Sequence, residues 1–317
     1  MTKQRVILLF LIWASCGESQ HTKEQDNCST FSDHYKGSCI ENCQQTKGAL
    51  LASRVSSLSE LKTIVKIDYF NQMVRLAQCS SGKGVVSILK EGISQTDIIN
   101  AKNGGLWDKI AFVVKAPQTV ADRVSLSNIY ILSRRRNDLF GWGDVAFYDL
   151  ALAAEKKIIT EEIAYKTVRD SSEKGYINSF NHITAQAIIT SCYSEEMADF
   201  VADAHELYNM PELTTGAFTK EQLTDPNTNP VDNYVDMVNN EWGQEIGKKL
   251  KKKYNLSNQT QWTPKLLADY LNDIQSYYSW AYQIGMEPFR SEEDIVVKFS
   301  KKLKKVLKGT VKMQEKS

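Results

Sequence analysis

The chain has 317 residues, 42% apolar and 24% charged, with a formal net charge of +1. That composition excludes wholesale disorder and leaves ample core for one large domain or two ordinary ones. The balance carries no bulk basic footprint, so no nucleic-acid partner is expected.

The N-terminal stretch sets the expected compartment. Lys3 and Arg5 form a basic start, Val6 to Trp13 is a short apolar run, and Ala14-Ser15 places small residues before Cys16. The run is too short to cross a bilayer and reads as an export signal over residues 1–15. It resembles a bacterial lipoprotein signal, which implies lipidation of Cys16 and a membrane anchor in the cell envelope. Trp13 stands where such signals usually carry Leu, and an ordinary secretory signal is the alternative.

Residues 16–47 are polar and lack apolar periodicity, as expected of a tether. Cys28, Cys39, Cys43 and Cys79 are expected to form disulfides in an exported chain, with Cys192 left as a buried thiol. A metal site from His34, Cys39 and Cys43 is the weaker reading because the spacing is irregular.

Over 48–119, Leu50, Val55, Leu58, Leu61, Val65, Phe70, Val74 and Ala77 recur at helical steps, predicting an N-terminal helical region. Ser80-Ser81-Gly82-Lys83-Gly84 is a turn without the spacing of a phosphate loop. The pattern admits short strands near 85–115, where Val85 to Lys90 and Trp107 to Lys115 are ambiguous apolar runs.

Residues 120–285 are expected to form the core domain. At its centre, Gly175 to Ser194 is a stretch of 20 residues without Asp, Glu, Lys or Arg. It predicts a buried central helix over about 177–192, so the fold class is mainly α, a multi-helix bundle around that helix. Ser194 caps a second helix to Tyr208, whose Met197, Val201, Ala204 and Tyr208 are expected to face the core. His205 is then at the core edge, with the adjacent acids towards solvent or a cleft.

A third helix runs from Val231 to Leu250. Its small stripe, Gly243 and Gly247, predicts close approach by another helix or a ligand. Thr263-Pro264 starts a further helix as N-cap and N1. Over 286–317, Ile295, Val296, Phe299, Leu303, Val306 and Leu307 alternate with lysines, Lys302 among them. Such a basic amphipathic helix packs on the body or lies on an anionic membrane surface.

Of four histidines, two lie in this core: His182 and His205, one helix–turn–helix apart. The third helix offers Asp236, Asn239 and Asn240 on one face. His182, His205 and Asp236 suffice to ligate a divalent metal with an open position. Without metal they suit a general base oriented by a carboxylate, with amides stabilising negative charge. The bland reading is a set of buried polar residues that fix helix packing.

Three motifs, Asn178-x-Phe180-x-His182-x-x-x-x-Ala187, Asp203-Ala204-His205-Glu206 and Asp236-Met237-Val238-Asn239-Asn240-x-x-Gly243, resemble in order and spacing the uncharacterised bacterial domain family DUF6973. The resemblance covers roughly residues 140–247. It implies that His182, His205, Glu206, Asp236, Asn239 and Asn240 hold the family's characteristic polar positions around a cleft, with no reaction assigned. Asn181 stands where that family commonly has Arg, and Gln186 where it has Asn. The reading reached from sequence is an envelope lipoprotein with a hydrolytic, metal-assisted site for a small-molecule, cell-wall or lipid substrate. The alternative is a tethered binding or scaffold module whose histidines are structural.

Overall fold

A computed structural model describes residues 48–309, apart from 71, 81, 211, 213–216 and 225–229. In chain order these residues form α1 (Leu58–Ile64), β1 (Lys66–Phe70), β2 (Met73–Ser80), β3 (Lys83–Lys90), α2 (Gln95–Asn103), α3 (Leu106–Lys115), α4 (Gln118–Ala121), α5 (Arg123–Leu132) and α6 (Asn137–Phe140). There follow α7 (Phe147–Glu155), α8 (Glu161–Ala164), α9 (Tyr176–Cys192), α10 (Glu195–Asn209), α11 (Lys220–Thr224), α12 (Val231–Lys253), α13 (Pro264–Tyr282) and α14 (Asp294–Leu307). The architecture is mainly helical, with one antiparallel sheet in the order β1-β2-β3.

The helical reading of residues 66–77 is corrected. Met73 to Ser80 pairs with β1 on one side and β3 on the other. In β3, Val85, Ser87 and Leu89 point inward while Val86 and Ile88 point out, the two-residue period of a half-buried strand. Gly82, at φ +76°, turns the chain between β2 and β3. The second ambiguous run, Trp107 to Lys115, is helical and lies within α3.

The central helix forms as expected, and Phe180, Ile183, Thr184, Ala187 and Ile188 are all buried. Yet it is not sealed all round. Asn178, Asn181, His182 and Ala185 are only half-buried, and their i, i+3, i+4, i+7 spacing makes one stripe open to a seam. On the sealed side, Phe180 stacks on Tyr278 of α13 with ring centroids 4.0 Å apart.

The closest packing joins α9 to α12. A Cβ on Gly243 would lie 2.7 Å from the Ile183 carbonyl oxygen, and one on Gly247 would lie 2.6 Å from that of Ala187. Ser191 Oγ donates to the Gly247 carbonyl at 2.9 Å across the same contact. The expected approach is therefore helix on helix. α12 also serves the other core: Tyr234, Val235, Val238 and Trp242 pack with the sheet, whereas Ile246 and Leu250 join the helical cluster.

At the C-terminus, Phe299 and Leu303 of α14 are fully buried against the body, which removes the membrane-surface reading of that helix. Lys302 is corrected from the exposed basic face to the interior. Its Nζ donates to Asp144 Oδ2 at 2.6 Å and to the carbonyls of Arg134 and Val145. Among the described residues no helix is long and apolar enough to cross a membrane.

The expected set of disulfides is corrected as far as the described residues reach: no bridge joins two described cysteines, Cys192 is a free, buried thiol, and Cys79 is disulfide-bonded. Cys28, Cys39 and Cys43, like the leader and Cys16, lie outside the described residues.

Gly243→Ala tests the helix contact. Alanine gains about 1 kcal/mol of helix propensity, but its methyl meets backbone that cannot rotate away, at a cost of about 1–3 kcal/mol for overpacking. With both terms near the middle of their ranges, we expect a net loss of about 1 kcal/mol in urea unfolding. Unchanged or raised stability would show that the helices are not in backbone contact there.

Candidate functional site

Three helices deliver the polar groups. The half-buried stripe of α9 contributes Asn178 and His182, and the first turns of α12 contribute Asp236 and Asn240. The last two turns of α10 bring His205 and Glu206. His182 Nε2 lies 3.3 Å from Asp236 Oδ2, and its Nδ1 lies 2.9 Å from Asn240 Oδ1. Asn178 Nδ2 donates to both oxygens of Asp236, at 2.9 and 3.0 Å. Asn240 Nδ2 points on to Glu206 Oε1 at 3.4 Å.

The expected facing of α10 holds at Met197 and Ala204, which are buried, and fails at its C-terminal end. Glu206 is 2% exposed, whereas Tyr208 is 60% exposed and His205 reaches solvent. The cause is the row Ala198, Ala202, Glu206, spaced four apart. Its two alanines are small enough to let α10 sit close in the seam, and the third member follows them inward. His205 stands at the rim, its ring centroid 6.1 Å from that of His182.

His182, His205 and Glu206 each offer a ligand atom, and these atoms lie within 4.8 Å of one another. Two imidazoles and a carboxylate form a donor set capable of holding a divalent metal. Ligands at about 2.0–2.1 Å in a tetrahedron stand about 3.4 Å apart, so the side chains must draw inward slightly to close on an ion. His205 is prepared for this: its Nδ1 is 3.2 Å from Gln95 Oε1, which holds the proton on Nδ1 and leaves Nε2 to ligate. For His182 the Asn240 amide bridges the space between Nδ1 and Glu206, so ligation there requires that amide to turn.

Of the two places open to Asp236 from sequence, it takes the orienting one and not that of a ligand grouped with the two histidines. It lies behind His182 as a carboxylate that orients the ring, an arrangement common to metal-bound histidines. Asn239 faces away from the seam. Its amide clamps Leu50, accepting from the N–H at 2.9 Å and donating to the C=O at 2.9 Å, and it is fully buried. Sequence reasoning overlooked Asn178 and Gln95 as positioning groups. Asn178 was legible in principle, four residues before His182 on one helical face. Gln95 lies far away in sequence and carried no signal.

The electrostatics favour neutral forms. Burial holds His182 below its ordinary pKa, against the opposing pull of Asn240 and Asp232. Burial likewise pushes Asp236 up to about 7, although Asn178 and Lys174 pull it down. Their contact is accordingly a hydrogen bond between a neutral ring and a carboxyl that titrates near neutrality. With the Asn240 oxygen facing it, Nδ1 carries the ring proton and Nε2 accepts from Asp236. Glu206 is raised far above the carboxylate range by burial and then by Asp236. The packed inner side of His205 is desolvated, and with His182 and Arg134 nearby its pKa falls to about 4.

The acidic character extends along the seam. Asp203 is pushed up to about 8 by burial and Asp199, and Glu241 on α12 is raised by burial and both those acids. Near Asp232, Arg169, Lys174 and Ser56 line a small pocket with about 20 Å³ open to water, enough for one or two molecules.

No family model, curated protein or solved structure matches the chain.

Two outcomes follow. Asn239→Ala leaves the Leu50 N–H unpaired in a dry core, while the Leu50 carbonyl keeps Ser179 and Tyr282, and should cost about 1–3 kcal/mol, with metal affinity unchanged when titrated by calorimetry. The second concerns pH. The folded pKa of Asp203 lies above its unfolded value, so its contribution to stability is full below about pH 4 and is lost as pH rises through about 8. Asp203→Asn should therefore gain about 1–2 kcal/mol over wild type at pH 8–9 and nothing at pH 4, measured by urea unfolding at both pH values.

Proposed function

We propose that this chain is a metal-assisted hydrolase of the cell envelope, acting on an ester, phosphodiester or cell-wall bond outside the cytoplasm. The observation that carries the reading is the convergence of His182, His205 and Glu206 where His205 meets solvent. A divalent ion in such a set supplies Lewis acidity and brings the pKa of water towards about 7.

The chain's own groups have separable tasks. Asp236, held by Asn178, orients His182 and, once ionised, accepts a hydrogen bond from Nε2–H, the neutral tautomer that leaves Nδ1 free to ligate. Gln95 orients His205. Asn240, once turned from its bridging position, presents an amide to negative charge developing on the substrate. Arg169 and Lys174 beside Asp232 suit a substrate that carries an anionic group. Export and anchoring through a lipidated Cys16 belong to the same proposal and rest on the leader from Lys3 to Cys16 alone.

One observation favours a second reading: both ring nitrogens of His182 already have protein partners. In that case the module is non-catalytic, and the cluster fixes three helices while binding occurs elsewhere.

Metal analysis of the purified mature protein separates the two. Wild type should hold about one equivalent of a divalent metal after incubation with zinc, manganese and cobalt in turn. His182→Ala and Glu206→Gln should lose it. Hydrolysis of nitrophenyl ester and phosphodiester substrates should fall about 100-fold or more on chelation and return on reloading. Absence of bound metal in wild type, or full occupancy in both variants, would contradict the proposal.

A further inference from the structure

α3 is ten residues long, reads LWDKIAFVVK, and buries none of them. Trp107 is 80% exposed, Val114 78% and Leu106 58%, and the neighbouring helices expose Ile99 of α2 and Val124 of α5. A single exposed apolar residue is ordinary, but an apolar helix unpartnered on most of its circumference marks an interaction surface.

Beside α3 runs an open groove of about 400 Å³, floored by Ile98, Phe112, Val113 and Val120. Its charged lining is entirely basic: Lys102, Lys109 and Arg123, with no acid among the lining residues. The groove shares no lining residue with the His182 seam, to which α2 contributes Gln95 at its N-terminus.

We propose that the α2–α5 face docks an amphipathic helix of a partner protein, with an apolar stripe seated in the groove and acidic residues flanking it. Three arguments select this occupant. The charge of the rim calls for acids on both sides of the apolar stripe, which disfavours a second copy of the same basic groove. The exposed Trp107, Leu106 and Val114 lie outside the groove lining, so a single acyl chain would leave them uncovered while a folded partner would not. Of the chain's own undescribed termini, those retained in the mature chain are unsuited by composition: residues 17–47 have few apolar side chains and 310–317 have one Val and one Met, while the apolar run Val6 to Trp13 belongs to the expected leader.

The test uses the full mature chain and two synthetic amphipathic helices of about 18 residues, with identical leucine stripes and either glutamate or lysine flanks. Binding is followed by calorimetry and by tryptophan fluorescence, with Trp107→Phe to assign the signal. The glutamate-flanked helix should bind about tenfold or more tightly than its counterpart, weaken with added salt, and blue-shift Trp107. Lys109→Glu combined with Arg123→Glu, two surface changes, should invert the preference. Equal affinity for both peptides would overturn the proposal. So would binding confined to phosphatidylglycerol vesicles, or a dimer in sedimentation that already buries Trp107.

Discussion

Backbone contact between α9 and α12 is the constraint from which the site follows. Where Gly243 and Gly247 lie against the carbonyls of Ile183 and Ala187, no side chain separates the two helices. One turn further along the same contact, Asn178 and His182 meet Asp236 and Asn240 at hydrogen-bond distance. Wider helix spacing, as bulkier residues would impose, would leave each of these polar groups buried without its partner. The same approach aligns Asn239 with Leu50, so the chain entering the described body is fastened from the face of α12 beside the site.

The seam is electrostatically incomplete as a neutral protein. Glu206 is sealed from water with one long contact to Asn240, and burial first, with neighbouring acids second, holds Asp199, Asp203 and Glu241 above the ordinary carboxylate range. Buried carboxyls in this state keep their protons because the nearby amides and lysines, Asn240, Gln244, Lys90 and Lys248, do not offset the lost hydration. A cation between the two histidines and Glu206 would reverse that balance, displacing a proton and relieving repulsion along α10. Asn240, bridging His182 and Glu206, is the group that must move. Stability and metal binding therefore pull on the same residues in opposite directions, a tension expected where a site is assembled from buried acids.

Much of the fold was legible because its signals were local. The uncharged stretch around His182 declared a buried helix, Thr263-Pro264 declared a helix start, and the glycine pair on one face declared a close approach. The failures arose where tertiary packing outweighed local pattern. The strands from Lys66 to Ser80 share three- and four-residue apolar steps with a helix, and only pairing with β3 decides between the periods. Glu206 was placed outward because bulk rather than smallness was taken to mark the inner face of α10, yet Ala198 and Ala202 admit the neighbour. Lys302 reads as one lysine among many until three acceptors are found around its Nζ. Gln95 belongs to the site through a long-range contact that no spacing could reveal.

In the proposed site α9 and α10 place three ligands around one ion while Asp236 supports His182 from behind. Anomalous diffraction from zinc-loaded crystals tests it most directly. The prediction is one peak about 2.0–2.2 Å from a nitrogen of His182, a nitrogen of His205 and an oxygen of Glu206, with Asn240 turned aside. No peak in the seam, with Asn240 still bridging His182 and Glu206, would contradict it.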